Sequence, residues 1–384
     1  MIPQESAGIM HAYAVQADLS GIGSVDAGKL FLGVICDGNS VSATDIRSTR
    51  PLAAQVLRGK TPAQVSQIVP LLFNVCGRAQ GAAANAALQA AQQADMAPFA
   101  TIERAIVCEA MQEHLWRAML DWPKLLGLAQ QERKFAGWYA LLRKIAAGAS
   151  GMEVFLHEFE RDGLGMSLAE WRGLAGYHAL RTWWREADSP LGQLLAKLDE
   201  LEHGRQGAGE IRLLPAWSAA EAQRACGERW DADFAARPEW QGAAAETGAW
   251  TYYADSTLLR DVRQQSESKA LTRLLARMLD VVEMAGGGAA PRLDVVSPAA
   301  GAGIAVVRTA RGLLMHHVRL AAGQVADYAI VAPTEWNFHP GGAFAQDMRG
   351  VKTRDAERLR QWAHIAALSL DPCVAYEVEV QHHA

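Results

Sequence analysis

Cysteine is scarce in this chain. Its 384 residues include 5, an odd number, and no two stand in a CxxC pair. That excludes a secreted disulfide framework and a zinc site built from such pairs. An excess of positive charge is also missing: 37 Lys+Arg face 42 Asp+Glu, for a net charge of −5. Nothing is left over to neutralise a phosphate backbone, so a nucleic-acid partner is not expected. No uninterrupted apolar run reaches the roughly 18 residues of a membrane helix. The Ala-rich stretch around 82–91 carries Asn85 and Gln89. The N-terminus shows neither a basic region nor an apolar run of signal-peptide type. These absences predict a soluble cytoplasmic protein, in a reducing setting, with no membrane insertion. What is present is a 50% hydrophobic composition, ordinary for a globular chain with a large core.

The organisation reads as α+β, mostly helical, in a single domain over 1–384. Strands are expected within 12–45, where glycine breaks an alternating pattern and Asp37-Gly38 signals a hairpin. A helical core is expected over 61–285. Thr61-Pro62 opens it as an N-cap followed by proline, and Pro70 is expected to stop or kink that helix. Residues 79–93 form an Ala-rich helix, whose small side chains admit another backbone closely. Segments such as IERAIVCEAMQEHLWRAML carry the helical apolar period. Ten of the 12 tryptophans lie between 116 and 250 and read as packing residues. Residues 286–303 read as a glycine- and alanine-rich connector. A β-rich region holding the C-terminal motifs occupies 290–384, with strands over 304–332 and a last helix at about 352–368.

Each cysteine alone is more often a packed small hydrophobe than a ligand. Cys76 is expected at a helix N-terminus, where the dipole favours thiolate. Cys373 follows Asp371-Pro372. The adjacent pairs His316-His317 and His382-His383 are poor chelators, because neighbours on a strand face opposite ways. Glu246-Thr247-Gly248 reads as a turn without derivable chemistry.

Four short motifs change the picture together. Asn74-Val-Cys76-Gly77-Arg-Ala79 resembles the first signature of nickel–iron hydrogenase large subunits, RxCGxCxxxH. Arg311-Gly312-Leu-Leu-Met-His316 resembles their PRGxLxH element, with Ala310 in place of the proline. Tyr328 to Asn337, including Pro333-Thr334, resembles the Y-x-V-V-P-[ST]-T-W-N element, and Asp371-Pro372-Cys373-Val-Ala-Tyr376 resembles DPCxxC. Order and spacing agree with that family.

The resemblance implies a large-subunit-like fold, with small sheets near both ends of the chain. It also exposes departures. The positions of the two bridging thiolates are Ala79 and Tyr376; those of the leading arginine and the closing histidines are Asn74, Ala83 and Glu379. A complete nickel–iron centre cannot be assembled from the two remaining thiols, Cys76 and Cys373. The combination resembles the HupK/HoxV family of hydrogenase maturation factors. It implies a non-enzymatic scaffold carrying an Fe(CN)2(CO) fragment on its way to the hydrogenase large subunit. Cys76 and Cys373 would ligate iron. Arg311 and Thr334 would donate to the cyanides, with Asp371 tuning the pocket and Pro333 and Ala310 lining it. Implied partners are iron-group assembly proteins of the HypC/HypD type and the large-subunit precursor. The short tail beyond Cys373 resembles a form that needs no maturation protease. Two alternatives stay open: a metal-free adaptor docking assembly proteins, with Trp183, Trp184 and Trp250 as surface, and a reduced-site hydrogenase or thiol oxidoreductase.

Overall fold

The computed structural model describes residues 28–51, 53–73, 75–94, 99–186, 188–203, 205 and 209–383. Its elements that frame the site are, in chain order, β1 (Lys29–Asp37), β2 (Ser40–Ser48), α1 (Pro62–Leu72), α2 (Gly77–Gln92) and α3 (Phe99–Trp116). A run of shorter helices leads to α4 (Lys269–Ala285). Then come β3 (Leu293–Ala299), β4 (Ala302–Thr309), β5 (Gly312–Ala321), β6 (Gln324–Val331), α5 (Pro333–Asn337), α6 (Ala356–Leu370) and β7 (Ala375–His383).

The hairpin β1–β2 forms because alternation puts Leu30, Leu32, Val34 and Cys36 on one buried face. Gly38, at φ 59°, supplies the positive dihedral that its two-residue turn requires. The expected hairpin is therefore present, with strands over 29–48; residues 12–27 of the expected strand region lie outside the described residues. The chain's far end joins this sheet. β7 lies parallel to β1, with Leu30 opposite Tyr376, giving the order β2-β1-β7. Nothing local in the sequence announces a pairing across more than 300 positions.

α1 opens as expected. Thr61 accepts from the Gln64 amide, and the Gln64 side chain accepts from the Thr61 amide, a reciprocal capping box. The helix runs two residues past Pro70 instead of ending there. Proline costs one amide donor, and so near the C-terminus little helix remains to be disrupted.

The 286–303 stretch is a correction. It contains β3, the first strand of an antiparallel sheet in the order β3-β4-β5-β6. The glycines and alanines on either side of Leu293–Ala299 masked that strand, and those at the start of β4 serve close approach. A side chain at Gly303 would overlap the Ala87 carbonyl, 1.9 Å from its Cβ position. The sheet thus lies directly on the small residues of α2. The last helix begins four residues later than expected, at Ala356, because Asp355 caps it.

α4 is buried on nearly every side and forms the axis of the helical part. Its Asp280 accepts from Arg292 on one oxygen (2.6 Å) and meets His114 of α3 on the other (2.9 Å). Around it the tryptophans pack as expected: Trp138 against Phe155 and Phe159, Trp171 against Trp183, Trp184 against Tyr177. Trp183 and Trp184 are buried and Trp250 half-buried, which removes Trp183 and Trp184 from any docking surface. Cys36, Cys108 and Cys226 are buried core residues.

Candidate metal-group site at the two signature cysteines

Cys76 is the N-cap of α2 and Cys373 follows α6; both are partly buried. The fold brings them into electrostatic reach of each other. Asn74 lies outside the described residues.

Cys76 does not gain thiolate character from its helix. Burial, Glu113 and the other cysteine's sulfur push its thiol up, against the pull of Arg311. The expected dipole effect is offset because the first amides of α2 are already used. Glu109 of α3 accepts from Arg78 N–H at 2.9 Å and from Ala79 N–H at 2.8 Å. A polar chain supports the same arm: Tyr328 O–H and Gln80 Oε1 each lie 2.8 Å from a ring nitrogen of His316. Gln80 Nε2 in turn donates weakly to Cys76 Sγ at 3.7 Å. Gln80 Oε1 can only accept, so His316 Nε2 carries the proton and Nδ1 accepts from tyrosine. Burial lowers His316 to about 3, so the ring is neutral. His317 faces the other way and stacks on Trp230 at 5.1 Å.

Cys373 has different company. Thr334, on the first turn of α5, donates its hydroxyl to Cys373 Sγ at 3.1 Å and accepts from the Cys373 amide at 3.3 Å. Pro333 starts that short helix and is buried. Asp371 sits at φ 53°, a left-handed conformation that a non-glycine residue holds only with support. Buried Arg277 and Arg311 and the partly buried Arg117 supply it. Arg117 and Arg277 each bond the carboxylate at 2.7 Å, and Arg311 lies 3.4 Å away. These cations hold the Asp371 carboxyl far below the usual range despite burial.

Arg311 occupies the tight turn between β4 and β5, next to fully buried Ala310. Gly312 follows because a side chain there would meet Thr247 at 2.6 Å. Thr247 of the Glu246-Thr247-Gly248 turn also accepts from Leu313 N–H at 2.9 Å, so this turn braces the arginine loop. Arg311 pairs with Glu113 at 2.6 Å, yet its Nε has no hydrogen-bond partner. Glu113 likewise leaves Oε1 buried and unpartnered. Burial raises the Glu113 carboxyl, Arg311 pulls it back, and Glu109 and Asp371 raise it further.

Sequence reasoning singled out Cys76, Cys373, Arg311, Thr334, Asp371, Pro333 and Ala310; the structure joins Thr334 to Cys373 by a hydrogen bond, sets Arg311 3.4 Å from Asp371, and puts Pro333 and Ala310, both buried, next to Thr334 and Arg311 in the chain. It missed Glu109, Glu113 and Arg117. Their signal was a four-residue spacing of charges along an otherwise apolar helix, which puts them on one face. Arg117 begins a π-turn over Arg117–Asp121, a departure frequent at functional sites. Arg50 and Arg277 were missed as well. At the bridging positions, Ala79 is buried and Tyr376 is half-buried with its ring 5.7 Å from His364. Ala83 is buried in α2 and Glu379 is exposed on β7. Among the described residues, no cluster of three or more His, Cys, Asp or Glu side chains is arranged to hold a metal ion.

This architecture is the nickel–iron hydrogenase large-subunit fold. The chain is similar to the nickel–iron–selenium hydrogenase of D. vulgaris Hildenborough, with a TM-score of 0.55, 15% identity and coverage of 88% of this chain and 94% of the other. The nickel-dependent hydrogenase family profile matches residues 236–379. Relatedness over the whole length is closer to another group. The hydrogenase expression/formation protein HoxV of Cupriavidus necator is 30% identical over 87% of this chain and 92% of its own. HupK of Azotobacter vinelandii, named likewise, is 30% identical over 93% and 99%. The chain belongs to the HupK/HoxV family of hydrogenase expression/formation proteins.

Proposed function

We propose that this protein is a non-catalytic scaffold of hydrogenase maturation that carries an Fe(CN)2(CO) group between Cys76 and Cys373. It receives the group from assembly proteins of the HypC/HypD type and passes it to the large-subunit precursor. The observation that supports this reading is the retention of two thiols among buried donors while both bridging positions are lost.

The chemistry of the pocket suits such a cargo. Soft thiolates bind low-spin iron(II) well. Cyanide nitrogens are electron-rich and costly to bury without donors. Arg311 Nε is a buried donor that lies 3.4 Å from Asp371 Oδ1 without a formed hydrogen bond, and the Thr334 hydroxyl stands beside Cys373. Iron(II) with two cyanides and two thiolates is a net dianion. The arginines grouped on Asp371 supply the opposing positive charge that burial demands. Pro333 and Ala310 add an apolar wall that keeps water from the carbonyl.

Infrared spectroscopy of the protein produced together with the maturation machinery tests this. Cyanide and carbonyl bands are expected, and they should vanish in Cys76→Ala and in Cys373→Ala. A spectrum without such bands, or bands unchanged in both variants, overturns the carrier role.

A further inference from the structure

Two thiols side by side are also a good site for zinc or nickel ions, which any cell supplies. A carrier of an iron–cyanide group must keep such ions away, and neither cysteine does so by itself. The answer lies beside the short helix that carries Thr334 and Glu335. A cleft of about 660 Å³ opens there, lined among others by Arg50, Tyr328, Ala332, Thr334 and Glu335. Thr334 belongs both to this cleft and to the immediate surroundings of Cys373, whose sulfur its hydroxyl touches at 3.1 Å. The cleft is therefore an approach to the thiols. Arg50 is ion-paired with Glu335, the residue after Thr334, and the side chains are only 13% and 19% exposed. One carboxylate oxygen of Glu335 holds the arginine, and the other is buried without a hydrogen-bond partner. Both cysteine sulfurs act electrostatically on Arg50, as they do on Arg311 across the pocket. The other arginines that line the cleft, Arg47, Arg58 and Arg237, are exposed, where water screens their charge.

We propose that Arg50, positioned by Glu335 on the cleft side of the two thiols, is the specificity-determining residue that admits an anionic metal group and repels a bare divalent cation. A guanidinium cannot be deprotonated at any working pH, so the repulsion is permanent. A dication approaching the sulfurs meets it at short range in a water-poor cleft, where charge acts strongly. A cyanide-bearing group meets a donor instead. This inference rests on the carrier reading for its cargo, but the exclusion of free ions is measured without that cargo.

The test is a Zn2+ titration of the full chain, reduced and produced without the maturation machinery, in competition with a chromophoric chelator. The comparison is made in a Glu335→Gln background, which removes a carboxylate that would otherwise compete as a zinc ligand. There, Arg50→Gln should tighten Zn2+ binding about tenfold or more, and Arg50→Lys should leave it unchanged. Adding Cys76→Ala and Cys373→Ala should abolish the gain. Equal affinities in the Gln and Lys variants overturn the proposal, and so does a gain that survives without the cysteines. Circular dichroism and the Arg50→Lys variant control for misfolding. Absent infrared bands in the wild-type protein would defeat the carrier reading and leave the zinc result standing. Bands together with unchanged zinc affinity would defeat only the role of Arg50.

Discussion

The two cysteines stand at mirror-image points of the chain, one opening a helix and the other following one, yet their nearest polar company differs. Cys76 has Glu109 and Glu113 nearby and a distant amide from Gln80. Cys373 has a threonine hydroxyl on its sulfur and follows an aspartate gripped by three arginines. A helix N-terminus alone would lower the Cys76 thiol. The structure shows burial and neighbouring carboxylates overriding it. Position on an element sets where a sulfur points; packed neighbours set its charge.

The largest effect should come from the basic arm. Asp371→Asn removes the shared anion of Arg117, Arg277 and Arg311 and leaves three cations facing one another. Unfolding in urea should show a loss of about 3–5 kcal/mol. The matching change on the acidic arm, Glu113→Gln, should cost under about 1 kcal/mol, because that carboxyl is already raised toward its neutral form. Equal losses would break the contrast.

His316 gives an intermediate effect with a defined pH dependence. Its folded value is lowered to about 3, whereas the unfolded chain binds that proton near 6.5. Between these limits the unfolded state holds more protons, so stability falls as pH drops below about 6.5, by about 1.4 kcal/mol per unit. Urea midpoints at pH 7 and pH 5 should therefore differ by about 2 kcal/mol from this residue. His316→Gln should lose that share of the slope; an unchanged slope would remove His316 from the buried chain that supports Cys76.

The smallest effect sharpens the comparison most directly. Glu109→Gln leaves one acceptor oxygen for two amides of α2, at a cost of about 1 kcal/mol. Exchange of the Arg78 or Ala79 amide should quicken. Alkylation of Cys76 should shift to lower pH, because the carboxylate that raises its thiol is gone. A profile unmoved in this variant would leave burial, Glu113 and the other sulfur as what raises the Cys76 thiol, and remove Glu109 from that set.

Much of the site was legible because motifs are local. Cys76-Gly77, Arg311-Gly312, Pro333-Thr334 and Asp371-Pro372-Cys373 each encode a turn or helix start that presents one functional group. The partners of those groups were not legible. Asp371 draws its arginines from the π-turn after α3, from α4 and from the β4–β5 turn, and no spacing rule links positions 117, 277 and 311. The same limit hid β3 in a glycine-rich stretch, where small residues serve the contact with α2. It also hid β7, whose partner is the first strand.

The sequence by itself determined which residues stand at the signature positions: Cys76, Cys373, Arg311 and Thr334 are kept, and Ala79 and Tyr376 stand where the hydrogenase pattern has cysteine. Composition and motif order sufficed for that, because ligand identity is a property of the residues. Only the tertiary structure decided what the thiols feel. Arg50 and Glu335 on the cleft side, Glu109 and Glu113 beside Cys76, and the arginines around Asp371 arrive from distant segments. In a buried pocket their charges act at short range with little water to weaken them.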